Sequence, residues 1–522
     1  MRLNRLWING LRNLKNVEVN FAEDKLTTVI IGQNGAGKSN LIEAIVHIFR
    51  NTDLDTHTPP FEFELDYHID NHKVSISGRQ NKWSFKVDGK NISRQKFQDQ
   101  KKDFFPDLIF GYYSGGNNRL ESLFSAHQRR YYDKIKREEF KDLLTLEDRK
   151  LFYCRSIHGV LSLLSLLAFP SEEIDQLLNE SLGVTGFHSA MVLLRKPWYA
   201  DSTKNVDRKN PTKFWGATGL PAQCAKILQD SSFFPLIAHE RILDDYRDKG
   251  GDEQQYCMYL RNTEALHEIT QKFKSDLDTF EGFESMDISD LIRSIQVWVT
   301  RKDDDTGDVS FGDLSDGERQ LLMVLGLIRL SRGKRTLFLL DEPDTHLNPA
   351  WQQGYLDLIQ KWAQTDAQNC HFILTSHNPL TISALSKEEV RVMFKTESNQ
   401  VKVEAPYADP RGMGFTATLT EIFGLSSSLD TETQKQIDER NALSVVDKRT
   451  KNQEKRLIEI NDELNRLGFL NEDRDPLYQD FLRAWQDLRY ANKPPLTPEK
   501  IALRHDAMQK LIKELTQQGN IT

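Results

Sequence analysis

The sequence has few cysteines, no long apolar segment and no strong excess of either charge. Its 522 residues include four cysteines, none in a Cys-x-x-Cys pair, which argues against a disulfide scaffold or a cysteine-based zinc site. The longest apolar run, residues 159–169, is too short to cross a bilayer and predicts a buried helix. The first residues lack the apolar run of a signal peptide. We therefore expect a cytoplasmic protein with reduced thiols and no membrane partner.

Charge and composition indicate an ordinary globular chain. Lys and Arg number 69 against 77 Asp and Glu, the net charge is −8, and hydrophobic residues make up 38%. That balance is too mild to indicate a nucleic-acid-binding protein as a whole, although it leaves room for a local basic surface. At about 150 residues per domain, the length predicts about three to four domains.

A glycine-rich loop follows the first strongly apolar run. Residues 26–31 (LTTVII) predict a buried strand, and they lead into GQNGAGKS and then an amphipathic helix. The pattern G-x-x-x-x-G-K-[ST] in this context predicts a phosphate-binding loop, because glycines let successive N–H groups point at phosphate oxygens. The lysine would reach the β- and γ-phosphates, and the serine would bind Mg²⁺. The predicted nucleotide-binding residues are Gly32, Gln33, Asn34, Gly35, Ala36, Gly37, Lys38, Ser39 and Asn40.

Two adjacent carboxylates follow a second apolar run far downstream. Residues 336–340 (TLFLL) are typical of a strand buried on both faces, and Asp341 and Glu342 come directly after it. Ligands of open α/β sheets bind at the carboxyl ends of such strands. We expect Asp341 and Ser39 to hold Mg²⁺, and Glu342 to orient or deprotonate the attacking water. The loop and the carboxylates together predict an ATPase that uses ATP and Mg²⁺.

Three motifs carry a resemblance to a known family. GQNGAGKSN, LSDGERQ at residues 314–320 and LLDEPDTHLNP at residues 339–349 resemble the ABC-type ATPases, in the branch of RecF, SMC, Rad50 and OLD proteins rather than transporters. The resemblance implies an α/β fold in which a P-loop ATPase head has a mixed, mainly parallel sheet. It also implies that His377, in HFILTSHNP, senses the γ-phosphate, so that Lys38, Glu342 and His377 form the catalytic set.

The same resemblance implies a paired assembly. In the family, the signature motif contacts the γ-phosphate of a nucleotide held by a second subunit, and the D-loop lies across the same interface. At least a dimer of heads is therefore expected. Asp316 departs from the glycine typical of transporters, and the family's Q-loop glutamine has no clear counterpart after the strand predicted at residues 107–112. The matching residues are Ser315, Asp316, Gly317 and Glu318 in the signature, and Asp344 and His346 in the D-loop.

The spacing of the two halves indicates an insertion. Roughly 300 residues separate Lys38 from Asp341, far more than one sheet with its crossovers requires, and no sustained heptad appears in between. We expect a compact, mainly helical insertion, and a helical C-terminal region that contacts partners or forms oligomers. A weak heptad over residues 432–467 and a last helix over residues 498–518 belong to that region. The predicted division is 1–116 and 294–411 for the head, 117–293 for the insertion and 412–522 for the C-terminal region.

Secondary motifs resemble one set of proteins within that branch. Residues 112–121 (YYSGGNNRLE), 151–167 and 195–221 resemble the PtuA-type ATPases of bacterial anti-phage defence, found in Septu systems and beside retrons. The resemblance implies a sensor or regulatory ATPase that controls a separate HNH nuclease of the PtuB kind. A retron reverse transcriptase with its RNA–DNA product is a further candidate partner. No nuclease motif is recognised in this chain, since residues 473–475 (DRD) follow no predicted strand. The alternative is a RecF- or SMC-type DNA-repair ATPase that binds DNA directly.

Two stretches admit both a structural and a binding interpretation. Residues 195–215 combine cations with four aromatic residues, which suits a single-stranded nucleic acid through phosphate contacts and base stacking. A solvated loop held to the core by those aromatics is the simpler interpretation. Asp303, Asp304, Asp305 and Asp308 lie between two strand-like runs, and they predict a hairpin turn rather than a Ca²⁺ site.

Overall fold

The structure is a computed structural model that describes residues 1–137, 149–202, 209–242, 251–302, 304–331, 333–363, 369–425, 427, 429–446, 448–467, 503, 506–507 and 509–510. None of the helices formed by these residues has the length and apolar character needed to cross a membrane. Their contacts define two compact units, one of Met1–Ile30 with Gly37–Thr381 and one of Ile31–Ala36 with the described residues from Ile382 onward. The four-part division expected from the sequence stays a prediction, and the contacts place a boundary after Thr381 rather than after residue 411.

The described residues form strands and helices along the whole chain. The strands are β1 Arg2–Asn9, β2 Val17–Asn20, β3 Thr27–Gly32, β4 Glu62–Ile69, β5 His72–Arg79, β6 Lys82–Val87, β7 Lys90–Ile92, β8 Leu108–Tyr113, β9 Leu151–Tyr153, β10 Val184–Arg195, β11 Leu236–Ile242, β12 Gly251–Leu260, β13 Ile292–Arg301, β14 Asp304–Ser310, β15 Thr336–Asp341, β16 Cys370–Thr375, β17 Val390–Lys395 and β18 Val401–Glu404. The α-helices are α1 Lys38–Asp53, α2 Arg94–Asp99, α3 Lys101–Phe104, α4 Glu121–Ile135, α5 Ile157–Ala168, α6 Glu172–Leu182, α7 Gly219–Ser231, α8 Thr263–Thr270, α9 Asp276–Ile288, α10 Asp316–Leu330, α11 Pro349–Ala363, α12 Pro379–Ile382, α13 Gly414–Ala417, α14 Thr431–Ser444 and α15 Lys451–Arg466.

A parallel sheet carries the predicted motifs. Strands β3, β16, β15, β8 and β9 are neighbours in that order, and each pair runs parallel. Every residue of β15 and β16 is buried, as expected of strands covered on both faces, and Phe338 and Phe372 stack between them with centroids 4.3 Å apart. Parallel strands place their carboxyl ends at one edge, which is where α/β sheets bind ligands. The predicted α/β fold with a mainly parallel sheet is confirmed.

Two antiparallel sheets accompany the parallel one. The first has the order β2-β1-β4-β5-β6-β7 and begins with an N-terminal hairpin, in which Ile8 pairs with Val17. The second has the order β11-β12-β10-β13-β14, and most of it lies within residues 117–293, where the sequence predicted a mainly helical insertion. Helices α4 to α9 are present there, but the sheet was missed. Register shifts along β10 break the two-residue alternation by which a half-buried strand is recognised.

Helix α5 packs closely against the helix that carries the signature motif, α10. It was predicted as a buried helix, and it is buried along nearly its whole length. A Cβ atom on Gly326 of α10 would lie 2.6 Å from Cβ of Ser162, and one on Gly159 would lie 2.9 Å from Cγ of Met323. Small residues therefore allow the two helices to approach, which holds α10 firmly in the first unit.

The second unit contains an antiparallel hairpin, β17–β18, and the helices α13, α14 and α15. The weak heptad expected over residues 432–467 is divided between two helices, α14 and α15. The residues that interrupt the heptad, Thr450 and Gln453, make the capping box that begins α15. Arg456 of α15 then pairs with Glu439 of α14 through two bonds of 2.9 and 2.8 Å. The result is a pair of packed helices rather than a continuous heptad.

Several sequence predictions fall on smaller features. The aspartate-rich segment begins β14, which pairs antiparallel with β13 through Arg301 and Asp304, so the predicted hairpin is confirmed. Asp303 lies outside the described residues, as do Lys204, Asp207 and Arg208 of the basic segment. Residues 473–475 and all but five residues of the predicted helix at 498–518 lie outside them as well.

Candidate nucleotide-binding and hydrolysis site

The predicted phosphate-binding loop has a backbone that only glycine tolerates at three positions. Gly32, Gly35 and Gly37 have φ angles of 150°, 74° and 112°. A Cβ on Gly37 would also lie 2.8 Å from Nδ2 of Asn13. Such left-handed turns expose successive N–H groups, and the loop leads into the N-terminus of the sixteen-residue helix α1. This local geometry is that of an anion-binding loop.

Lys38, the first residue of α1, is buried and lies among polar groups. Its Nζ atom is 3.3 Å from Nδ1 of His377. Burial lowers the pKa of Lys38 to about 8, while Glu342 and Asp341 oppose that shift by favouring the charged form. A buried ammonium with little solvent around it gains strongly from a phosphate, because the interaction is weakly screened. Lys38 is therefore placed as the phosphate-binding cation.

Ser39 and Asp341 meet beside the loop. Asp341 ends β15, is almost fully buried, and accepts hydrogen bonds from the hydroxyls of Ser39 and Thr375. Burial raises the pKa of Asp341, and those two bonds oppose the rise. Both side chains also line a cavity of about 30 Å³, large enough for one water or one small ion. One carboxylate and one hydroxyl, with phosphates and waters completing the shell, fit the way Mg²⁺ binds in nucleotide sites.

Glu342 is held in an unusual backbone conformation that directs its side chain. Its φ is 54°, and its N–H donates to the Thr375 carbonyl at 3.2 Å and to the Thr375 hydroxyl at 3.0 Å. Its Oε1 atom lies 2.6 Å from Nε2 of His377. That hydrogen bond is the largest cause of a lowered pKa for Glu342, so the carboxylate is ionised at neutral pH. Strained, well-anchored residues of this kind are frequent at functional sites.

His377 connects the lysine and the carboxylate. Lys38 has no acceptor capacity, so its ammonium donates to Nδ1 of His377, and Nε2–H then donates to Glu342. A neutral imidazole with its proton on Nε2 satisfies both contacts. The three residues predicted as catalytic, Lys38, Glu342 and His377, are thus in one chain of contacts.

Replacing His377 with alanine should move the acidic limb of the pH–rate profile to higher pH. The base works only when ionised, and His377 lowers the pKa of Glu342. Without that hydrogen bond, the pKa of Glu342 rises, so activity is lost at a higher pH as the solution is acidified. Steady-state kcat for ATP, measured from about pH 3 to pH 8 so that the limb falls inside the range, tests this expectation. The control His239→Ala, on the exposed strand β11, should leave the limb in place; an unmoved limb in His377→Ala would contradict the role given to His377.

The signature residues form a cap at the start of α10. Ser315 and Glu318 make a reciprocal capping box, with the Ser315 hydroxyl and N–H both 2.8 Å from Oε2 of Glu318. Asp316 pairs with Arg319 at 2.7 Å, and Glu318 also pairs with Arg301. These hydrogen bonds and ion pairs do not reach Lys38 or Glu342 of the same chain. Ser315 and Asp316 are exposed, so this helix start is open to a partner.

Gly317 lies where the signature meets the segment predicted as the D-loop. A Cβ on Gly317 would be 2.7 Å from the carbonyl oxygen of His346. The side chain of Asp344 is buried and accepts hydrogen bonds from Ser376, at 2.6 Å, and Thr381, so it anchors this segment within its own chain. The side chain of His346 is exposed. Of the two predicted D-loop residues, His346 alone has a side chain that a partner can reach.

Substituting alanine at Gly317 should impair hydrolysis more than nucleotide binding. The new methyl group forces the start of α10 away from His346, and overpacking of this kind costs about 1–3 kcal/mol. Gly354 on α11 has open space around its Cα, so Gly354→Ala should instead stabilise by about 0.5–1 kcal/mol. Denaturant unfolding, nucleotide affinity and kcat of both variants measure the difference. Wild-type kcat in Gly317→Ala would contradict the account.

Sequence reasoning missed a group of residues around α1. Asn40 was predicted to bind nucleotide, but its Oδ1 atom accepts hydrogen bonds from Arg12 at 2.7 Å and Arg119 at 2.9 Å. The same two arginines pair with the nearly buried Glu43 at 2.7 and 2.5 Å. These partners lie far apart in sequence, so no spacing could have revealed them. Asn40 therefore takes part in fixing the outer face of α1.

The segment after β8 takes the position where a Q-loop was expected. The Ser114 N–H donates to the Asp341 carbonyl at 3.2 Å, and Asn117 donates to the Tyr113 hydroxyl at 3.1 Å. Tyr113 and Asn117 line the 30 Å³ cavity together with Ser39 and Asp341. Burial, followed by the charge of Asp341, raises the pKa of Tyr113, so its hydroxyl stays neutral and able to donate. Neither residue was predicted, because the sequence offers no glutamine here.

Comparison with known proteins agrees with this geometry. Residues 1–161 match the family model described as "AAA ATPase domain", and residues 251–383 match the one described as "AAA domain, putative AbiEii toxin, Type IV TA system". The Retron Vc95 probable ATPase of Vibrio cholerae serotype O1 biovar El Tor is 22% identical over 416 residues, covering 75% of this chain and 73% of its own. The chain is an ATPase.

Other relatives extend the comparison. The Retron Ec83 probable ATPase of Escherichia coli is 21% identical over 78% of this chain and 73% of its own length. Septu protein PtuA of Bacillus mycoides strain KBAB4 is 26% identical over 125 residues, only 22% of this chain and 17% of that protein. A solved SMC head, bound to the C-winged helix domain of ScpA, aligns over 78% of this chain at 15% identity, with a TM-score of 0.32. At that score, the structural likeness supports no conclusion.

Proposed function

We propose that this ATPase is the sensor or regulatory subunit of an anti-phage defence complex, and that it controls a nuclease carried on a separate polypeptide. The observation that carries the ATP-dependent part is the chain of contacts from Lys38 through His377 to Glu342 at the end of the parallel sheet. The names of the retron and Septu relatives support the setting. The nuclease would be of the HNH, PtuB-like kind. A reverse transcriptase with its RNA–DNA product is a further partner in a retron setting.

Hydrolysis would follow from the placement of the side chains. Lys38 holds the terminal phosphates, and Glu342 takes a proton from the attacking water as a general base. His377 keeps Glu342 oriented and ionised, as their 2.6 Å contact and the lowered pKa of Glu342 indicate. Ser39 and Asp341 would hold Mg²⁺, which neutralises charge on the phosphate oxygens when bound. Each role belongs to a residue of the first unit, from Gly37 to Thr381.

The signature supports a proposal of paired heads. Ser315 and Asp316 are exposed at the start of α10, and their bonds stay within that helix cap and its two arginines. A helix start has unpaired N–H groups and favours an anion, so it suits the γ-phosphate of ATP held by a second copy. ATP would therefore join two heads, and hydrolysis would release them. Such a cycle would change the affinity of the assembly for its nuclease.

Purification of a tagged Glu342→Gln protein from its native host, with Mg²⁺ and ATP, tests the proposal. This variant should hold ATP without turnover and keep the assembly closed. We expect a small HNH protein to co-purify, with a reverse transcriptase and an RNA–DNA hybrid in a retron setting. Lys38→Ala, prepared in parallel, should recover less of these partners. Recovery of chromosomal DNA with repair proteins, and no nuclease, would contradict the proposal and favour a RecF-type repair ATPase.

A further inference from the structure

A second cavity of the first unit lies away from the phosphate-binding loop and has no part in hydrolysis. Its volume is about 410 Å³, within the range of small-molecule sites. One wall is a single face of α4, where Gln128, Arg129 and Tyr132 follow one another at helical spacing. Trp198 also lines the cavity, as do Asp287 and Asp290 at and just after the end of α9. The lining thus combines two aromatic side chains with charged and amide groups.

Trp198 is exposed, although Phe214 and Trp215 at the end of the same segment are buried. Its side chain is 66% exposed, whereas Phe214 and Trp215 are 7% and 0% exposed. The sequence-based interpretation of a loop held to the core therefore suits Phe214 and Trp215, and Trp198 needs another explanation. The Trp198 N–H donates to Asp290 at 3.1 Å, and Arg195 pairs with the same carboxylate. The indole is held at the cavity rim by an anchored backbone, which keeps a large apolar face in water at a cost in free energy.

The charges around the cavity suit a polar aromatic ligand with a negative backbone. Arg129 of α4 pairs with Asp133 at 3.6 Å, and both side chains are exposed, so this ion pair is weak and the guanidinium can bind a phosphate instead. The Lys136 ammonium lies 4.7 Å from the centroid of the Tyr132 ring. Among the other lining residues, Asp287 pairs with Arg155, and Asp290 pairs with Arg195. An ionised carboxylate can accept about four hydrogen bonds, so both retain capacity for exocyclic amino groups. Cytosine, adenine and guanine carry such groups beside a flat ring.

We propose that this cavity binds an unpaired nucleobase of a single-stranded nucleic acid, stacked against Trp198, with the adjoining phosphates next to Arg129. Base–aromatic stacking tolerates different bases, and cations beside the stack bind the backbone. A duplex stacks its base faces and pairs their Watson–Crick edges, so its bases cannot stack on Trp198. The inference does not depend on the proposed control of a nuclease, because the isolated chain contains every residue that it invokes.

Binding of fluorescein-labelled dC20 to the full chain, measured by anisotropy, tests the stacking. The wild type should bind dC20 more tightly than a duplex of the same length. Trp198→Ala should weaken dC20 binding by about 5- to 150-fold, the range expected for losing one stacked base. Phe415→Ala, which removes an exposed aromatic side chain of the second unit, should have no effect. Wild-type affinity in Trp198→Ala, equal affinity for the duplex, or no binding of dC20 would overturn the proposal.

Two further measurements, of salt dependence and of competition by a free nucleotide, identify the ligand. Arg129→Ala should reduce the slope of log affinity against log salt by about one phosphate contact, while Arg466→Ala, an exposed cation on α15, should leave it unchanged. Free CMP should compete with dC20 only weakly, because it offers one phosphate instead of a backbone. If CMP competed as well as dC20 at an equal concentration of nucleotide units, the ligand would be a free nucleotide. That result would overturn the proposal that the cavity binds a single-stranded nucleic acid.

Discussion

Glu342→Gln is expected to bind ATP as the wild type does and to lose turnover by a factor on the order of 10²–10⁴, the usual contribution of a general base. The amide keeps the shape of the side chain and can still meet His377, but it cannot take a proton from water. Glu342 is fixed by two hydrogen bonds from its N–H to Thr375 and by its 2.6 Å contact with His377, so no neighbouring carboxylate can easily replace it. Single-turnover hydrolysis, with ATP affinity measured separately, distinguishes loss of chemistry from loss of binding.

The control for that experiment is Glu454→Gln on α15. Glu454 is exposed in the second unit, so the same chemical change there should leave kcat unaltered. The assignment of the base would be wrong if Glu342→Gln hydrolysed ATP at the rate of Glu454→Gln. Asp341 is the other nearby carboxylate, but burial raises its pKa and Ser39 and Thr375 already bond to it, so it is a poor substitute.

Lys38→Ala should abolish nucleotide binding at ordinary concentrations. The lysine is buried, and its charge is needed where phosphates replace water, so its loss is expected to weaken binding by a factor on the order of 10²–10³. The wild type should also bind nucleotide less well as the pH rises through about 8, because the ammonium loses its proton there. Binding of a fluorescent ATP analogue between pH 7 and 9 measures both effects.

Lys455→Ala provides the matched comparison for the lysine. Lys455 is 80% exposed on α15 and pairs weakly with Glu459 at 3.9 Å, so removing its charge should change neither affinity nor its pH dependence. Circular dichroism of both variants shows whether the fold is intact. Wild-type affinity in Lys38→Ala would mean that another cation binds the phosphates. The assignment of Lys38 as the phosphate-binding residue of the loop would then be wrong.

The hydrolysis site was predictable from sequence because its parts are local. The phosphate-binding loop, the apolar run before Asp341 and the segment before His377 each lie within a few residues of chain, and parallel strands place them at one edge. The contacts from Arg12 and Arg119 to Asn40 and Glu43 join distant residues, and no local pattern marks them. Tyr113 and Asn117 were missed for a different reason: the segment after β8 contains no glutamine to mark it as a Q-loop.

The fold, like the site, was predicted where the signal is local and missed where it is not. Strands buried on both faces gave continuous apolar runs that were correctly assigned, whereas β10 is half-buried and shifts its register, so the antiparallel sheet beside the head was not foreseen. Thr450 and Gln453 interrupt the heptad because they form the capping box of a second helix. A capping box is a local signal, so the interruption between α14 and α15 could have been predicted from the sequence.

ATP hydrolysis by a mixture of two inactive variants tests the paired-head mechanism most directly. Ser315→Arg should block the signature and leave the phosphate-binding loop intact, while Lys38→Ala has the opposite defect. Each alone should be nearly inactive. Mixed in equal amounts, they should recover roughly a quarter of the wild-type rate, because half of randomly formed dimers are heterodimers with one complete site. Full activity of Ser315→Arg alone, or no recovery in a mixture shown to form heterodimers, would contradict the mechanism.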